Sequence, residues 1–223
     1  NSEAAALPLT AITAWELLFE RLVITKQSQE ENKKSSDVIL IVGAAGGVGS
    51  ILVQLASSLT GATVIGTASR ESSKAWVKNL GADFVIDHSK PLQAQVEQLN
   101  IGQVTHVASL THTDSYLDSY VELLAPMGKI ALIDDPKSVD ITKLKQKCLS
   151  LHWEFMFTRS MFDVEDIIEQ HNLLNNISAL IDQGVIKTTF GKNLGAINAE
   201  NLRAAHQEIE SGKSIGKIVL EGF

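Results

Sequence analysis

Val38-Ile39-Leu40-Ile41-Val42-Gly43-Ala44-Ala45-Gly46-Gly47-Val48-Gly49 decides how this 223-residue chain folds. Five apolar residues, four of them β-branched and none alternating with polar ones, suit a strand buried on both faces, so Val38 to Val42 reads as the centre of a parallel sheet. A glycine-rich turn follows at once and opens a helical segment that runs to Leu59. Strand, glycine turn and helix in that order form the setting in which backbone amides and the positive end of a helix dipole cradle the phosphates of a dinucleotide. In this reading Gly46 lets the backbone approach the pyrophosphate and Gly49 lets the helix pack closely on the strand, while Ala44 stands where GxGxxG has its first glycine. Ala44, Ala45, Gly46, Gly47, Val48 and Gly49 are therefore candidate cofactor-binding positions.

Outward from this stretch, strands and helices alternate. Thr63 to Thr67 reads as strand, Ser72 to Leu80 as helix, Phe84 to Ile86 as strand and Leu92 to Leu99 as helix. Val104 to Leu110 is then strand, Tyr116 to Leu124 helix, Lys129 to Ile133 strand, and Leu151 to Phe157 the sixth strand. The expected fold is α/β, a doubly wound six-stranded parallel sheet of Rossmann type. Ahead of it, Thr10 to Phe19 reads as a helix with Thr10 as its cap, followed by a polar linker from Lys26 to Asp37. After about Ser160 the alternation stops. A long helix (Val164 to Ile181), an extended piece (Val185 to Thr189), a helix (Ala199 to Ile209) and a last strand (Lys217 to Leu220) remain. The domain reading is a linking helix in 1–20, a dinucleotide-binding domain in 21–160, and a C-terminal segment in 161–223.

Composition bounds the function. A net charge of −7 with scattered acids and no basic block argues against a nucleic-acid or anionic-membrane surface, and no apolar stretch approaches the length of a membrane helix. One cysteine, Cys148, excludes a disulfide framework and fits a reducing, cytoplasmic setting. None of the six histidines fits a standard zinc motif. The turn also matches GxxxGxG through Gly43, Gly47 and Gly49, the spacing of short-chain dehydrogenases. Their Tyr-x-x-x-Lys pair is absent, because four residues beyond Tyr116 stands Tyr120, and four beyond Tyr120 stands Leu124. The chain opens at Asn1 without methionine and reads as cut from something longer.

Taken together, Ala4-Ala5-Ala6-Leu7-Pro8, Thr13-Ala14-Trp15, the glycine turn, Leu80-Gly81-Ala82-Asp83, Gly128-Lys129, His152 to Phe157 and Gly216 to Leu220 resemble the medium-chain dehydrogenase/reductases. The resemblance is nearest to their quinone-oxidoreductase branch and its zinc-type alcohol dehydrogenase-like group. It implies a two-domain subunit in which the segment after Ser160 is a remnant of the catalytic domain and completes it. The implied chemistry is hydride delivery from a nicotinamide to a quinone or activated carbonyl. Open alternatives are a zinc-type alcohol dehydrogenase acting on an alcohol or aldehyde, and a non-catalytic NADP(H)-binding sensor. The family position of a catalytic zinc ligand corresponds to Leu9, which cannot coordinate metal, so no catalytic zinc is expected. No catalytic residue is assigned.

The resemblance places the nicotinamide near Leu110 and Thr111, Ile133, and Phe155 to Phe157, and His88 near the adenosine phosphate. His112 is either a cofactor neighbour or an exposed loop histidine. At the end of the second strand, Ala68 occupies the position at which NAD enzymes carry an acid for the ribose hydroxyls. Ser69, Arg70 and Lys74 follow it and suit a 2′-phosphate, so NADP is the expected cofactor. The alternative is that Arg70 and Lys74 are solvated residues at a helix start. Leu151, Trp153, Phe155 and Phe157 alternate with His152, Glu154, Met156 and Thr158 at the sheet edge, and the resemblance implies a homodimer through that edge. This segment by itself is expected to bind cofactor but to turn over poorly.

Overall fold

The computed structural model describes residues 1–27 and 34–222, so the linker expected at Lys26 to Asp37 lies partly outside the described residues. A short helix α1 (Ser2–Ala5) leads to α2 (Pro8–Glu16), which continues as a π-helical turn over Leu17–Arg21. The α2 start differs from expectation. Pro8 occupies the first turn, where its missing N–H costs nothing, and the buried Thr10 sits inside the helix with its hydroxyl on the Leu7 carbonyl at 3.2 Å.

The alternation then runs β1 (Val38–Val42), α3 (Gly47–Leu59), β2 (Thr63–Thr67), α4 (Glu71–Asn79), β3 (Phe84–Ile86), α5 (Leu92–Gln98), β4 (Val104–Ser109), α6 (Thr113–Leu123), β5 (Leu124–Leu132) and, after a 3-10 turn, β6 (Ser150–Trp153). These six strands form one parallel sheet in the order β3-β2-β1-β4-β5-β6. Every side chain of β1 is buried. Ile39 and Ile41 enter the core shared with α2, α3 and Leu173 and Ile177, while Val38, Leu40 and Val42 enter the core shared with α5 and α6. That division explains the unbroken apolar run: both faces of the strand are covered. The strand order reverses between β1 and β4, which opens a crevice at their carboxyl ends, where sheets of this kind hold ligands.

Three expectations about the later chain need correction. First, β6 ends at Trp153 instead of running to Phe157. Its last ladder bond is donated by the Glu154 N–H to the Leu132 carbonyl at 2.9 Å, and the chain then turns, with the Thr158 N–H donating to the Phe155 carbonyl. The buried Glu154 carboxyl is drawn to Arg21 Nε at 2.9 Å and Met156 packs on the core, so the segment stops alternating. Second, the long helix expected from Val164 starts later, as α8 (Ile168–Asp182), and a short helix α7 (Thr158–Phe162) precedes it. Asp163 between them is left-handed, and the Arg159 guanidinium holds Asp166 at 2.6 Å across the break. Third, β7 is Phe190–Asn193 and not the stretch around Val185 to Thr189. At Lys187 the backbone is already satisfied by the amide of Gln54, which accepts from its N–H at 2.7 Å and donates to its carbonyl at 3.1 Å, so no strand partner is needed. Helix α9 (Ala199–Glu210) then precedes β8 (Lys217–Val219), which pairs in parallel with β7.

Candidate functional site

The glycine turn is built from the end of β1. Gly43 has φ 85°, the left-handed conformation that favours glycine, and its N–H donates to Thr67 Oγ1 at 3.1 Å. Gly46 is the N-cap of α3, and the first helical bond runs from the Ser50 N–H to the Gly46 carbonyl at 2.8 Å. The amides ahead of that bond therefore emerge at the helix start without helical partners. A Cβ on Gly49 would lie 2.3 Å from the Gly43 oxygen, so this glycine sets how closely α3 approaches the turn. A Cβ on Gly46 would meet only the Gly43 oxygen, at 3.5 Å, and would otherwise project into open space, which is the cradle a phosphate requires.

That space is a cavity of about 750 Å³ over the β1–β4 crevice. Ala45, Gly46, Gly47, Val48, Gly49, Ser69, Arg70, His88, Leu110, Thr111 and Ile133 all line it. His112 lines it too, in a left-handed conformation with Nδ1 2.6 Å from Thr111 Oγ1. Three groups of expected residues lie elsewhere. Ala44 is fully buried beneath the turn, its methyl facing the room left by Gly66 on β2. Lys74 is held by Glu71 at 3.2 Å and Asp87 at 3.7 Å, outside the cavity. Phe155 and Phe157 pack edge to face on each other, 5.5 Å apart, and also lie outside it.

The charges of the cavity wall are one-sided. Arg70 and Lys217 line it, and among the described residues no Asp or Glu does, although the chain as a whole carries −7. Arg70 stands at the start of α4, its backbone N–H donating to Ser73 Oγ at 3.2 Å and its Nη2 to the Lys213 carbonyl at 2.7 Å. Ala68, just after β2, is buried. Burial lowers the pKa of His88 from its ordinary value, and among the described residues its Nδ1 has no hydrogen-bond partner. On the opposite side, Asp134 accepts from the Thr113 N–H at 2.8 Å and from its hydroxyl, while Ser109 bonds Thr113 at 2.7 Å and Tyr120 at 2.8 Å. This buried network ties the loop after β4 to the end of β5. Burial pushes the Tyr120 phenol pKa well up, so it remains a neutral hydroxyl in that network.

Sequence reasoning missed the fourth wall. Ile209, Gly212, Ser214, Gly216 and Lys217 come from the end of α9, the turn after it and the start of β8, and the Gly216 N–H donates to the Ala45 carbonyl at 2.9 Å, fastening the tail to the glycine turn. Gly216-Lys217 is visible in the sequence, but only the fold brings it over the turn. Thr10 and Leu9 complete the rim, with Leu9 48% exposed. Among the described residues no three His, Cys, Asp or Glu side chains come together as a metal site.

Comparison with known proteins agrees with this architecture. The family model described as zinc-binding dehydrogenase matches residues 80–220. A zinc-type alcohol dehydrogenase-like protein of Staphylococcus epidermidis is 39% identical over 221 residues, covering 99% of this chain and 65% of that protein. A crystal structure from Rhizobium etli CFN 42, described as a zinc-dependent alcohol dehydrogenase protein, superposes with a TM-score of 0.93 at 52% identity, covering 100% of this chain and 64% of the other. Escherichia coli quinone oxidoreductase complexed with NADPH superposes with a TM-score of 0.79 at 25% identity, covering 98% of this chain and 64% of the other. The chain spans just under two thirds of these relatives. It belongs to the zinc-binding dehydrogenase family of the medium-chain dehydrogenase/reductases, with their Rossmann-type sheet and the glycine turn at its crevice.

Proposed function

We propose that the protein is an NADPH-dependent, zinc-independent oxidoreductase that reduces a quinone or α,β-unsaturated carbonyl. In this reading it works in the cytoplasm as a homodimer. Residues 1–20 form the junction, 21–160 bind NADP, and 161–223 complete a catalytic domain. The observation that carries the proposal is the charge of the cavity: among the described residues Arg70 and Lys217 line it without a carboxylate, and Ala68 stands where an acid would read ribose hydroxyls.

NADPH supplies the hydride when bound. Ser69 and Arg70 hold the 2′-phosphate, His88 flanks the adenosine, and the amides at the start of α3 receive the pyrophosphate. Leu110, Thr111 and Ile133 hold the nicotinamide against the crevice, and positioning of the reacting carbons does the catalytic work. Lys74, Phe155 and Phe157 receive no cofactor role. Leu9 makes the rim apolar at the position where a zinc enzyme of the family would place a sulfur ligand, which supports a substrate polarised without metal. The exposed Trp153, Phe155 and Phe157 next to the free edge of β6 support the dimer.

A hydrogen bond to a charged group contributes about 1.5–3 kcal/mol. Losing one such contact weakens binding about tenfold or more. Calorimetric titration is therefore expected to show NADPH binding at least about tenfold more tightly than NADH, with Arg70→Ala weakening NADPH and leaving NADH nearly unchanged. Equal affinities for the two cofactors, or parallel losses in the variant, refute the assignment of NADPH.

A further inference from the structure

We infer that Asp134 is a positioning residue for the nicotinamide half of the cavity, acting through Thr113 from behind the wall. The inference rests on the reading of the cavity as a dinucleotide site. Asp134 follows the wall residue Ile133 but does not itself line the cavity, and neither does Thr113.

The start of α6 is the first observation. An N-cap residue ordinarily has extended backbone and a side chain that accepts from the first turn, but His112 has φ 55° and ψ 36° and makes no side-chain cap bond. A left-handed histidine is strained and persists only where its surroundings hold it. Asp134, arriving from the end of β5, supplies the missing cap. One carboxylate oxygen accepts from the Thr113 N–H at 2.8 Å, and the other accepts from the Thr113 hydroxyl. The turn just ahead of Thr113 is what this fixes. Leu110, Thr111 and His112 line the cavity, and Thr111 Cγ2 lies 3.3 Å from where a Cβ on Gly43 would stand, so the turn is seated against the glycine loop.

The direction of the hydroxyl protons is the second observation. A carboxylate only accepts, so the Thr113 hydroxyl donates to Asp134 and must accept from Ser109 Oγ at 2.7 Å. Ser109 Oγ in turn accepts from the Tyr120 hydroxyl at 2.8 Å. Ser109, Thr113 and Tyr120 are fully buried, so water does not compete for these bonds. Asp134 therefore orients the whole chain of hydroxyls from one end. An amide in its place cannot: asparagine offers one oxygen where the Thr113 N–H and O–H both arrive, and its NH2 would face the other donor.

Two probes separate the halves of the site. NADPH carries both, whereas adenosine 2′,5′-bisphosphate carries only the adenosine half, whose wall residues Ser69, Arg70 and His88 stand outside this network. In calorimetric titrations Asp134→Asn is expected to weaken NADPH about tenfold and to leave the bisphosphate unchanged. Thr113→Val, of the same shape but without the hydroxyl, should behave likewise, and it carries the test if Asp134→Asn does not fold. Thr113→Ser should keep the native affinity. At saturating NADPH, time-resolved fluorescence anisotropy should reveal in Asp134→Asn and Thr113→Val a fast motion of the nicotinamide that the native protein lacks. Val96→Ala, in the core beneath α5, should lower Tm and change neither readout. Native NADPH affinity and an immobile ring in Thr113→Val overturn the inference. So does an equal loss of the bisphosphate, a loss in Thr113→Ser, or a loss of NADPH in Val96→Ala, which would mean that binding merely follows stability. If the native protein binds both probes, these results count against Asp134 alone; if it binds neither, the dinucleotide reading falls and the inference with it.

Discussion

Substituting Gly49 by alanine tests whether the glycine turn is a packing device as well as a phosphate cradle. The new Cβ would lie 2.3 Å from the Gly43 oxygen, 2.6 Å from Ala44 Cα and 2.7 Å from the Ala44 carbonyl carbon, all of them backbone atoms. Relief to 3.0 Å requires α3 to withdraw by at least 0.7 Å, because no side chain can rotate away. Overpacking of a filled interior costs about 1–3 kcal/mol, and a clash confined to backbone belongs at the upper end. Alanine recovers at most about 1 kcal/mol of helix propensity. The net loss is about 2 kcal/mol, which for a chain of this length lowers Tm by roughly 4–8 °C. Thermal unfolding followed by circular dichroism measures it, and NADPH titration should show weaker binding as the α3 amides move off the phosphates. A Gly49→Ala protein as stable as the parent, with unaltered affinity, would refute the packing argument.

Glu154 carries a pH prediction. Burial, with the Glu16 carboxyl beside it, pushes its pKa from an ordinary 4.5 up to about 8. The folded protein then binds more protons than the unfolded chain between those values, so this group costs stability as pH rises through the window and the cost is complete above about pH 8. Glu154→Gln should match the parent in Tm near about pH 5 and exceed it near about pH 9; two parallel pH profiles would show that Glu154 does not titrate in this window. The edge strand carries another: replacing Trp153 and Phe155, each 53% exposed, by aspartate should shift sedimentation at micromolar concentration from dimer to monomer. A parent protein that already sediments as a monomer excludes the dimer.

The sheet was legible because its signals are local. The β1 run, the strands Thr63–Thr67 and Phe84–Ile86, and the glycine turn are each set by residues within a few positions of one another. The errors fall where a distant partner overrides the local pattern. Glu154 breaks the aromatic alternation of β6 because Arg21 holds its carboxyl, and Gln54 on α3 satisfies Lys187 so that pairing is deferred to Phe190. The candidate site divides in the same way. Ser69, Arg70 and His88 follow from strand ends and line the cavity. Lys74 has suitable chemistry for a phosphate but is already paired with Glu71 and Asp87. Lys217 reads from sequence as part of a strand and of a family motif but not as a cavity residue, because neither periodicity nor spacing shows that β8 crosses the glycine turn.

The reversal of strand order between β1 and β4 also has a consequence for the chain as it is made. β1 hydrogen-bonds to β2 on one side, soon after it in sequence, but its other side is closed by β4, and Val38 reaches Thr105 across a separation of 67 residues. At a translation rate of roughly 5–20 residues per second, the most apolar strand of the protein waits roughly 3–13 s with one edge bare. Throughout that interval a nascent chain presents Ile39, Leu40 and Ile41 on an open strand, the kind of surface that chaperones exist to cover. Demand for chaperones during synthesis should therefore peak before β4 has left the ribosome and fall once it has docked.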